Sequence, residues 1–142
     1  MKTIKQLLIT VVMLLCSATA SAYDFEVDGI YYNILSLSDL TVAVTSGDNE
    51  YSGEVIIPST VSYKSKALTV TSIGEYAFYD CCGLTSVTIG NSVTSIGNYA
   101  FYNCFSLKDL RIEDGETTLS LGYNSYDVGL FYDCPLESLY LG

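Results

Sequence analysis

Short runs in which apolar and polar residues alternate follow one another from residue 24 onward, and such alternation is typical of β-strands. Turn-forming residues stand between the runs. Asp28 and Gly29 favour a two-residue hairpin turn, and Pro58 ends the run before it. The pattern predicts strands within 24–34, 40–45 and 54–57, and a hairpin closing at 62–66 before a strand at 68–70.

The chain then repeats itself at a fixed period, in which Val70 recurs as Val93. Residues 70–92 read VTSIGEYAFYDCCGLTSVTIGNS and residues 93–115 read VTSIGNYAFYNCFSLKDLRIEDG, with twelve identical positions. A partial third copy resumes at Phe131 rather than at position 124, where the period would place it, so about seven residues are inserted within or near 117–128. The third copy has no clear S-I-G segment, which leaves its strand pairing and register open.

Each copy contains one L-x-x-L-x-L motif, beginning at Leu84, Leu107 and Leu136. A period of roughly 20–29 residues with this motif is the signature of leucine-rich repeats. Each coil of such a solenoid adds one strand to a parallel sheet, with its apolar residues pointing inward and the residues between them outward. The repeat therefore predicts a mainly β solenoid of about three coils.

The repeated positions also predict how the coil interior is filled. Phe78, Phe101 and Phe131 are expected to stack as a buried aromatic ladder, and Gly74 and Gly97 to form tight corners. The wall opposite the ladder is expected to consist of Val70, Ile73, Val93 and Ile96.

The motif I-G-x-x-A-F-x-x-C-x-x-L, present in full twice within 70–115, resembles the BspA-like leucine-rich repeats of surface proteins from anaerobic commensal bacteria and some protists. The resemblance covers 70–142 firmly and 23–69 more loosely. It implies a right-handed solenoid, displayed or secreted, that is used in adhesion to host proteins or other cells. It implies no catalytic residue.

Residues 23–69 are predicted to form a β-hairpin cap that covers the open end of the first of three repeats, 70–92, 93–115 and 116–142. The alternative is a separate binding domain, but a segment of about 47 residues is small for independent stability. At the other end, the last predicted strand stops just before Gly142 and would expose an unpaired edge. Two interpretations remain for that end, a fragment of a longer protein or self-association through the uncapped coil.

Residues 1–22 have the features of a secretory signal peptide, with Lys2 and Lys5 before an apolar stretch and a small-residue cleavage site at 20–22. The alternative is an uncleaved membrane anchor. Cleavage predicts an exported protein, secreted, displayed at the cell surface or retained in the periplasm, with no integral membrane span. The full chain has a net charge of −10, and the mature chain would lose two lysines and carry −12. A surface this acidic repels nucleic acid, which is therefore not an expected partner.

The composition disfavours catalysis. The chain contains no histidine, so neither a Ser-His nor a Cys-His nucleophile pair can form. Adjacent acids such as Glu113 and Asp114 do not define a cleft with separate acid and base roles. The acidic loops at 48–50 and 113–116 lack the spacing of a calcium loop. We predict that the protein is not an enzyme and that it has no catalytic residue, no metal site and no cofactor.

Three cysteines, Cys81, Cys104 and Cys134, occupy one equivalent repeat position and are expected to stack about 4.8 Å apart. One interpretation is a metal or redox cluster. The favoured one is a ladder of buried thiols that act as small hydrophobic groups, because they repeat with the core and no histidine accompanies them. Cys82 breaks the pattern, and we expect it to be exposed and the thiol most open to pairing or reaction.

The exposed sheet face is the first candidate binding surface, since solenoids bind through such faces. The alternative is that its residues are ordinary solvated strand positions. The candidate residues on this face are Thr85, Thr88, Lys108, Arg111, Glu137 and Tyr140.

The repeated tyrosines are the second candidate, because tyrosine rows can stack on sugar rings. The alternative is that they merely flank the phenylalanine ladder. The tyrosines concerned are Tyr76, Tyr79, Tyr99, Tyr102 and Tyr132.

The sequence therefore predicts protein or glycan binding. The alternative is a structural spacer, or an N-terminal fragment of a larger surface protein, with no binding activity of its own.

Overall fold

The computed structural model describes residues 22–122 and 129–142. The predicted signal peptide up to residue 21 and residues 123–128 of the predicted insertion lie outside the described residues. Every regular element in the described part is a strand. The strands are β1 (Phe25–Val27), β2 (Ile30–Ser36), β3 (Thr41–Thr45), β4 (Gly53–Ile57), β5 (Thr60–Tyr63), β6 (Lys66–Ile73), β7 (Leu84–Ile89), β8 (Ser95–Ile96), β9 (Asp109–Ile112), β10 (Ser120–Leu121) and β11 (Ser138–Leu141).

The described strands form two sheets that share one core. The four-strand sheet is parallel throughout, in the order β11-β9-β7-β4. The seven-strand sheet has the order β1-β2-β3-β6-β8-β10, with β5 antiparallel to β6. The chain crosses from one sheet to the other as it passes from β6 to β7, from β8 to β9 and from β10 to β11. These crossings form the three coils that the repeat predicts.

The third copy keeps the register of the other two. Strand β11 pairs residue for residue with β9, and Ser120 and Leu121 pair with Ser95 and Ile96. The third S-I-G segment is therefore 120–122, where leucine stands in place of isoleucine. One period after Ser95 ends at position 118, so Ser120 comes later than the repeat alone would place it. Part of the insertion thus lies between β9 and β10 and the rest between β10 and β11, where extra length does not shift the sheets.

The predicted phenylalanine ladder is present, although its third ring, Phe131, is only half-buried. Phe78 and Phe101 are fully buried, with ring centroids 4.9 Å apart, and Phe131 stacks on Phe101 at 5.4 Å. The ladder continues toward the N-terminal end through Tyr51, whose ring centroid lies 4.6 Å from that of Phe78. The opposite wall is also as predicted, since Val70, Ile73, Val93 and Ile96 are all buried.

Gly74 and Gly97 lie where β6 and β8 end and the chain turns, as the prediction of tight corners requires, but no left-handed backbone demands glycine there. Neither has a positive φ, which falls instead on neighbouring non-glycine residues such as Tyr76 and Tyr99. A Cβ on Gly97 would lie 2.5 Å from the Glu75 nitrogen, and one on Gly74 would lie 3.0 Å from the Val44 carbonyl oxygen. Glycine is needed at Gly97 because the backbone of the preceding coil lies too close for a side chain, whereas the approach at Gly74 is less tight.

The lead-in contributes more than an end cover. The β1–β2 hairpin turns at Asp28 and Gly29, which have φ values of 52° and 78°, as the dipeptide predicts. This hairpin adds antiparallel strands to β3, which itself pairs in parallel with β6. Strand β4 pairs in parallel with β7 and is the first strand of the four-strand sheet. Both sheets of the solenoid therefore begin within residues 41–57.

The two ends of the solenoid differ in how well the core is covered. At the N-terminal end Tyr51 is buried, and its hydroxyl donates to the Thr45 carbonyl oxygen at 2.6 Å and accepts from the Tyr31 amide at 3.0 Å. At the other end Leu139 is 55% exposed, although its pairing partner Leu110 is 1% exposed. Positions that are core in the second coil are open in the third.

Candidate binding surfaces

Of the six residues that the sequence selected on the sheet face, four lie in strands of the four-strand sheet, namely Thr85, Thr88, Arg111 and Tyr140. Lys108 and Glu137 directly precede β9 and β11. The six residues form two rows across the strands because equivalent positions of parallel strands stand side by side. One row is joined by backbone hydrogen bonds from the Lys108 amide to the Thr85 carbonyl and from the Glu137 amide to the Lys108 carbonyl. The other row follows from the strand register and contains Thr88, Arg111 and Tyr140.

Opposite charges meet in the first row. The Lys108 ammonium nitrogen lies 2.7 Å from the Glu137 carboxylate oxygen, and both side chains are exposed. This hydrogen bond raises the pKa of Lys108 above its ordinary value, which keeps the ammonium charged. An exposed pair of this kind contributes little to stability. Its main effect is to hold two long side chains in one direction on the surface.

The second row contains an exposed pair of arginine and tyrosine. The Arg111 guanidinium carbon lies 4.0 Å from the centroid of the Tyr140 ring, within the range of a cation–π contact. Tyr140 is 46% exposed and Arg111 is also exposed. The tyrosine ring limits the conformational freedom of the guanidinium. The N–H groups at the edge of the guanidinium can still donate hydrogen bonds to a partner. Thr88, by contrast, is half-buried.

The same face extends to residues that the sequence reasoning missed. Strand register places Ile56 beside Thr88 and Glu54 beside Ser86. Ile56 is 60% exposed. The signal that would have found them is the V-x-I half of the strand motif, since Val55-x-Ile57 matches Val87-x-Ile89. It was missed because the spacing from β4 to β7 differs from the repeat period.

The repeated tyrosines form a second surface at the turn that joins the two sheets. Tyr76 stacks on Tyr99 with centroids 5.2 Å apart, while Tyr79, Tyr102 and Tyr132 stack in a parallel row at 5.4 and 5.1 Å. Because the ring faces are packed against each other, the faces between stacked rings are not open to a ligand. The expectation that these tyrosines flank the phenylalanine ladder agrees with this arrangement. A sugar could therefore stack only at the ends of the two rows, where Tyr76, Tyr79 and Tyr132 stay 40–45% exposed.

The stacked cysteines occupy the interior of the same turn. Cys104 is fully buried, and its thiol donates to the Phe78 carbonyl oxygen at 3.0 Å, while the Cys134 thiol donates to the Phe101 carbonyl oxygen at 2.9 Å. Burial raises the pKa of Cys81 to about 11. The pKa of Cys104 is also raised, by its hydrogen bond with Cys134 and by burial. Cys81 and Cys104 therefore remain protonated and serve as small core groups, whereas Cys134 is half-buried and its hydrogen bond with Cys104 lowers its pKa.

All four described cysteines are free thiols, and Cys82 differs from the other three because it is exposed. Among the described residues, no three cysteine, aspartate or glutamate side chains converge as a metal site would require. No helix in the described part has the length and apolarity that a membrane span would need.

Comparison with known proteins agrees with this architecture. Residues 59–127 match a family model that describes a BspA type leucine-rich repeat region of six copies. No curated protein matches the chain.

Solved bacterial structures share the fold. A leucine-rich repeat protein from Bacteroides ovatus is 27% identical, with a TM-score of 0.61 over 84% of this chain. A leucine-rich cell surface protein from Faecalibacterium prausnitzii is 27% identical, with a TM-score of 0.60 over 81% of this chain. A leucine-rich repeat protein from Bacteroides capillosus is 26% identical, with a TM-score of 0.60 over 82% of this chain and 96% of that one.

The chain spans only 41% of the Bacteroides ovatus protein and 31% of the Faecalibacterium protein. The repeat match, the three stacked coils and the shared fold lead to the same conclusion: the chain belongs to the leucine-rich repeat proteins of the BspA type.

Proposed function

We propose that this chain is an exported binding module, secreted or displayed at the cell surface, that holds a protein or glycan ligand on the outer face of its four-strand sheet. The N-terminal sequence supports export, and one relative is described as a cell surface protein. The ligand class follows from the face itself, which offers exposed polar, charged and aromatic groups rather than a deep pocket.

The contact between Arg111 and Tyr140 is the observation that carries this proposal. Arginine and tyrosine are both enriched among the residues that dominate binding energy at interfaces. Here they lie next to each other, exposed and oriented before any ligand arrives, so less side-chain freedom is lost on binding. The guanidinium supplies donors for a carboxylate, a backbone carbonyl or a sugar hydroxyl, and the ring supplies apolar area.

The experiment compares the protein with the variant Lys108→Ala, Arg111→Ala, Tyr140→Ala in a pull-down and on a glycan array. We expect ligands retained by the native protein to be lost, with affinity at least about tenfold lower for the variant. The matched control is the variant Lys64→Ala, Lys66→Ala. It also removes two positive charges, but from exposed residues at the β5–β6 turn. The control should bind as the native protein does.

Two outcomes would contradict the proposal. If the folded triple variant retains every ligand of the native protein, the sheet face is not the binding site. If neither protein retains any ligand, a structural spacer is favoured. The Lys108–Glu137 and Arg111–Tyr140 contacts would then be contacts within the protein surface with no role in binding. Analytical ultracentrifugation of the same samples tests self-association through the exposed last coil.

A further inference from the structure

A second surface lies at the N-terminal end of the solenoid, away from Arg111 and Tyr140. A cleft of about 870 Å³ opens there between the β1–β2 turn, strand β4 and strand β5. Its lining includes the buried side chains of Ile30, Tyr51 and Val61. The cleft therefore combines an apolar floor with one border made by the side of a strand.

That strand, β4, is the free edge of the four-strand sheet. Its pairing with β7 uses the Gly53 amide, which donates to the Gly83 carbonyl at 2.8 Å, and the Ile57 carbonyl, which accepts from the Gly90 amide at 3.0 Å. Since backbone groups alternate sides along a strand, those of Glu54 and Ile56 face the opposite edge. Strand β4 has no second neighbour among the described strands.

A free edge of this kind is a template for another strand. Proteins that hide such edges place lysine or proline on them or cover them. Strand β4 contains neither residue, and Ile56, the fourth of its five residues, is 60% exposed. The hairpin of the lead-in covers the interior of the solenoid and extends the other sheet, but it leaves this edge unpaired.

The charges around the cleft define what would pair there. Four exposed carboxylates, those of Glu26, Asp28, Glu50 and Glu54, belong to the lining, which holds no lysine or arginine among its described residues. A second copy of this chain, with a net charge of −10, would be repelled. A positively charged strand would be attracted and would meet a carboxylate on either side of the edge.

We propose that this cleft binds an extended basic peptide segment, which adds to the four-strand sheet as a strand beside β4. Apolar side chains of the peptide face inward over Tyr51 and Val61, and its lysines or arginines face the carboxylates of Glu54, Glu26 and Asp28. Main-chain hydrogen bonds to Glu54 and Ile56 provide the affinity, as in other cases of strand addition. This site adjoins the β4 side of the sheet face proposed above but involves neither Arg111 nor Tyr140.

The first test uses a labelled, end-blocked peptide of about ten residues, twice the length of β4, in which lysine and valine alternate. Fluorescence anisotropy should show saturable binding to the protein. The same peptide with glutamate in place of lysine should bind at least about tenfold more weakly. Hydrogen exchange should show that the basic peptide protects the amides of Glu54 and Ile56. Equal binding of the two peptides, or no protection, would overturn the proposal.

The second test separates strand pairing from ionic attraction without altering the protein. Two N-methylated versions of the lysine peptide carry methyl groups on alternate amides in opposite registers. One register should lose binding by about tenfold or more, because its methyl groups remove the hydrogen bonds to β4, and the other should retain it. If both versions bind like the unmodified peptide, the attraction is ionic only and the strand-addition proposal fails.

A third test locates the site. The variant Glu26→Gln, Asp28→Asn, Glu54→Gln should bind the lysine peptide about tenfold more weakly, and asparagine tolerates the φ of 52° at position 28. The matched control Glu75→Gln, Glu113→Gln, Glu116→Gln removes the same charge elsewhere and should bind normally. The triple variant of the sheet face should also bind normally, so failure of one proposal leaves the other distinguishable. Equal loss in both carboxylate variants would contradict the site.

Discussion

Substitution of Gly97 by alanine tests whether close approach of the coils, rather than a special backbone conformation, requires glycine in the repeat. A Cβ at Gly97 would lie 2.5 Å from the Glu75 nitrogen, 2.7 Å from the Gly74 carbonyl carbon and 2.9 Å from the Glu75 Cα. All three atoms belong to the backbone of the preceding coil, which cannot move aside as a side-chain end can. The equivalent Gly74 is the matched control, because its Cβ would meet only the Val44 carbonyl oxygen, at 3.0 Å.

The size of the effect follows from two opposing contributions. Overpacking of a rigid region costs about 1–3 kcal/mol, and three close backbone contacts place Gly97→Ala in the upper half of that range. Alanine also restricts the unfolded chain, which stabilises the protein by about 0.4–1 kcal/mol at a position with an ordinary φ. The expected net loss is about 2 kcal/mol for Gly97→Ala and close to zero for Gly74→Ala.

Urea unfolding followed by circular dichroism measures both free energies, with the slope against urea concentration as a check that the denatured state is unchanged. A lower midpoint for Gly97→Ala and a near-native midpoint for Gly74→Ala would support the reasoning. Equal midpoints for the two variants would refute it, since the two glycines differ mainly in how close the preceding coil lies. Native stability of Gly97→Ala would refute the close-approach explanation outright.

Three further predictions concern the core. Phe101→Ala should lower the free energy of unfolding by about 3–5 kcal/mol in urea unfolding, and Phe131→Ala by clearly less, because Phe101 has a stacked ring on both sides and Phe131 is half-buried. Iodoacetamide with the folded protein should modify Cys82 and spare Cys104, as peptide mass spectrometry would show; equal labelling would contradict the buried ladder. Burial raises the pKa of Cys81 from 9.0 to about 11, so the folded protein holds this proton longer than the unfolded chain, and stability should be full below pH 9 and fall as the pH rises toward 11. Thermal unfolding of Cys81→Ala should show a weaker decline over that range; an unchanged decline would assign it to other groups.

The repeat could be predicted from the sequence because each coil must satisfy the same packing requirements as the next. Phe78, Phe101 and Cys104 recur with the period, and each lies in the buried position that the recurrence predicts. The hairpin at Asp28 and Gly29 was readable for a local reason, since few residue pairs adopt two successive positive φ angles. The outer face followed from the alternation of strand residues, which also selected Arg111 and Tyr140.

Features that depend on contacts between distant segments could not be predicted from the sequence. The third S-I-G segment at 120–122 was hidden by insertions on both sides, and only its pairing with β8 shows its place. The closeness of Gly97 to Glu75 was likewise invisible, because it measures how near one coil lies to another.

The sequence by itself determined the period, the inward and outward positions and the residues that fill the coil, because these follow from local alternation that recurs once in every repeat. The tertiary structure alone decided that Arg111 rests on Tyr140 and that β4 begins the four-strand sheet. It also decided that the outer edge of β4, which has no partner among the described strands, borders an acidic cleft. Those features depend on which strands become neighbours. Neighbours in a solenoid are set by the stacking of whole coils, which no short stretch of sequence encodes.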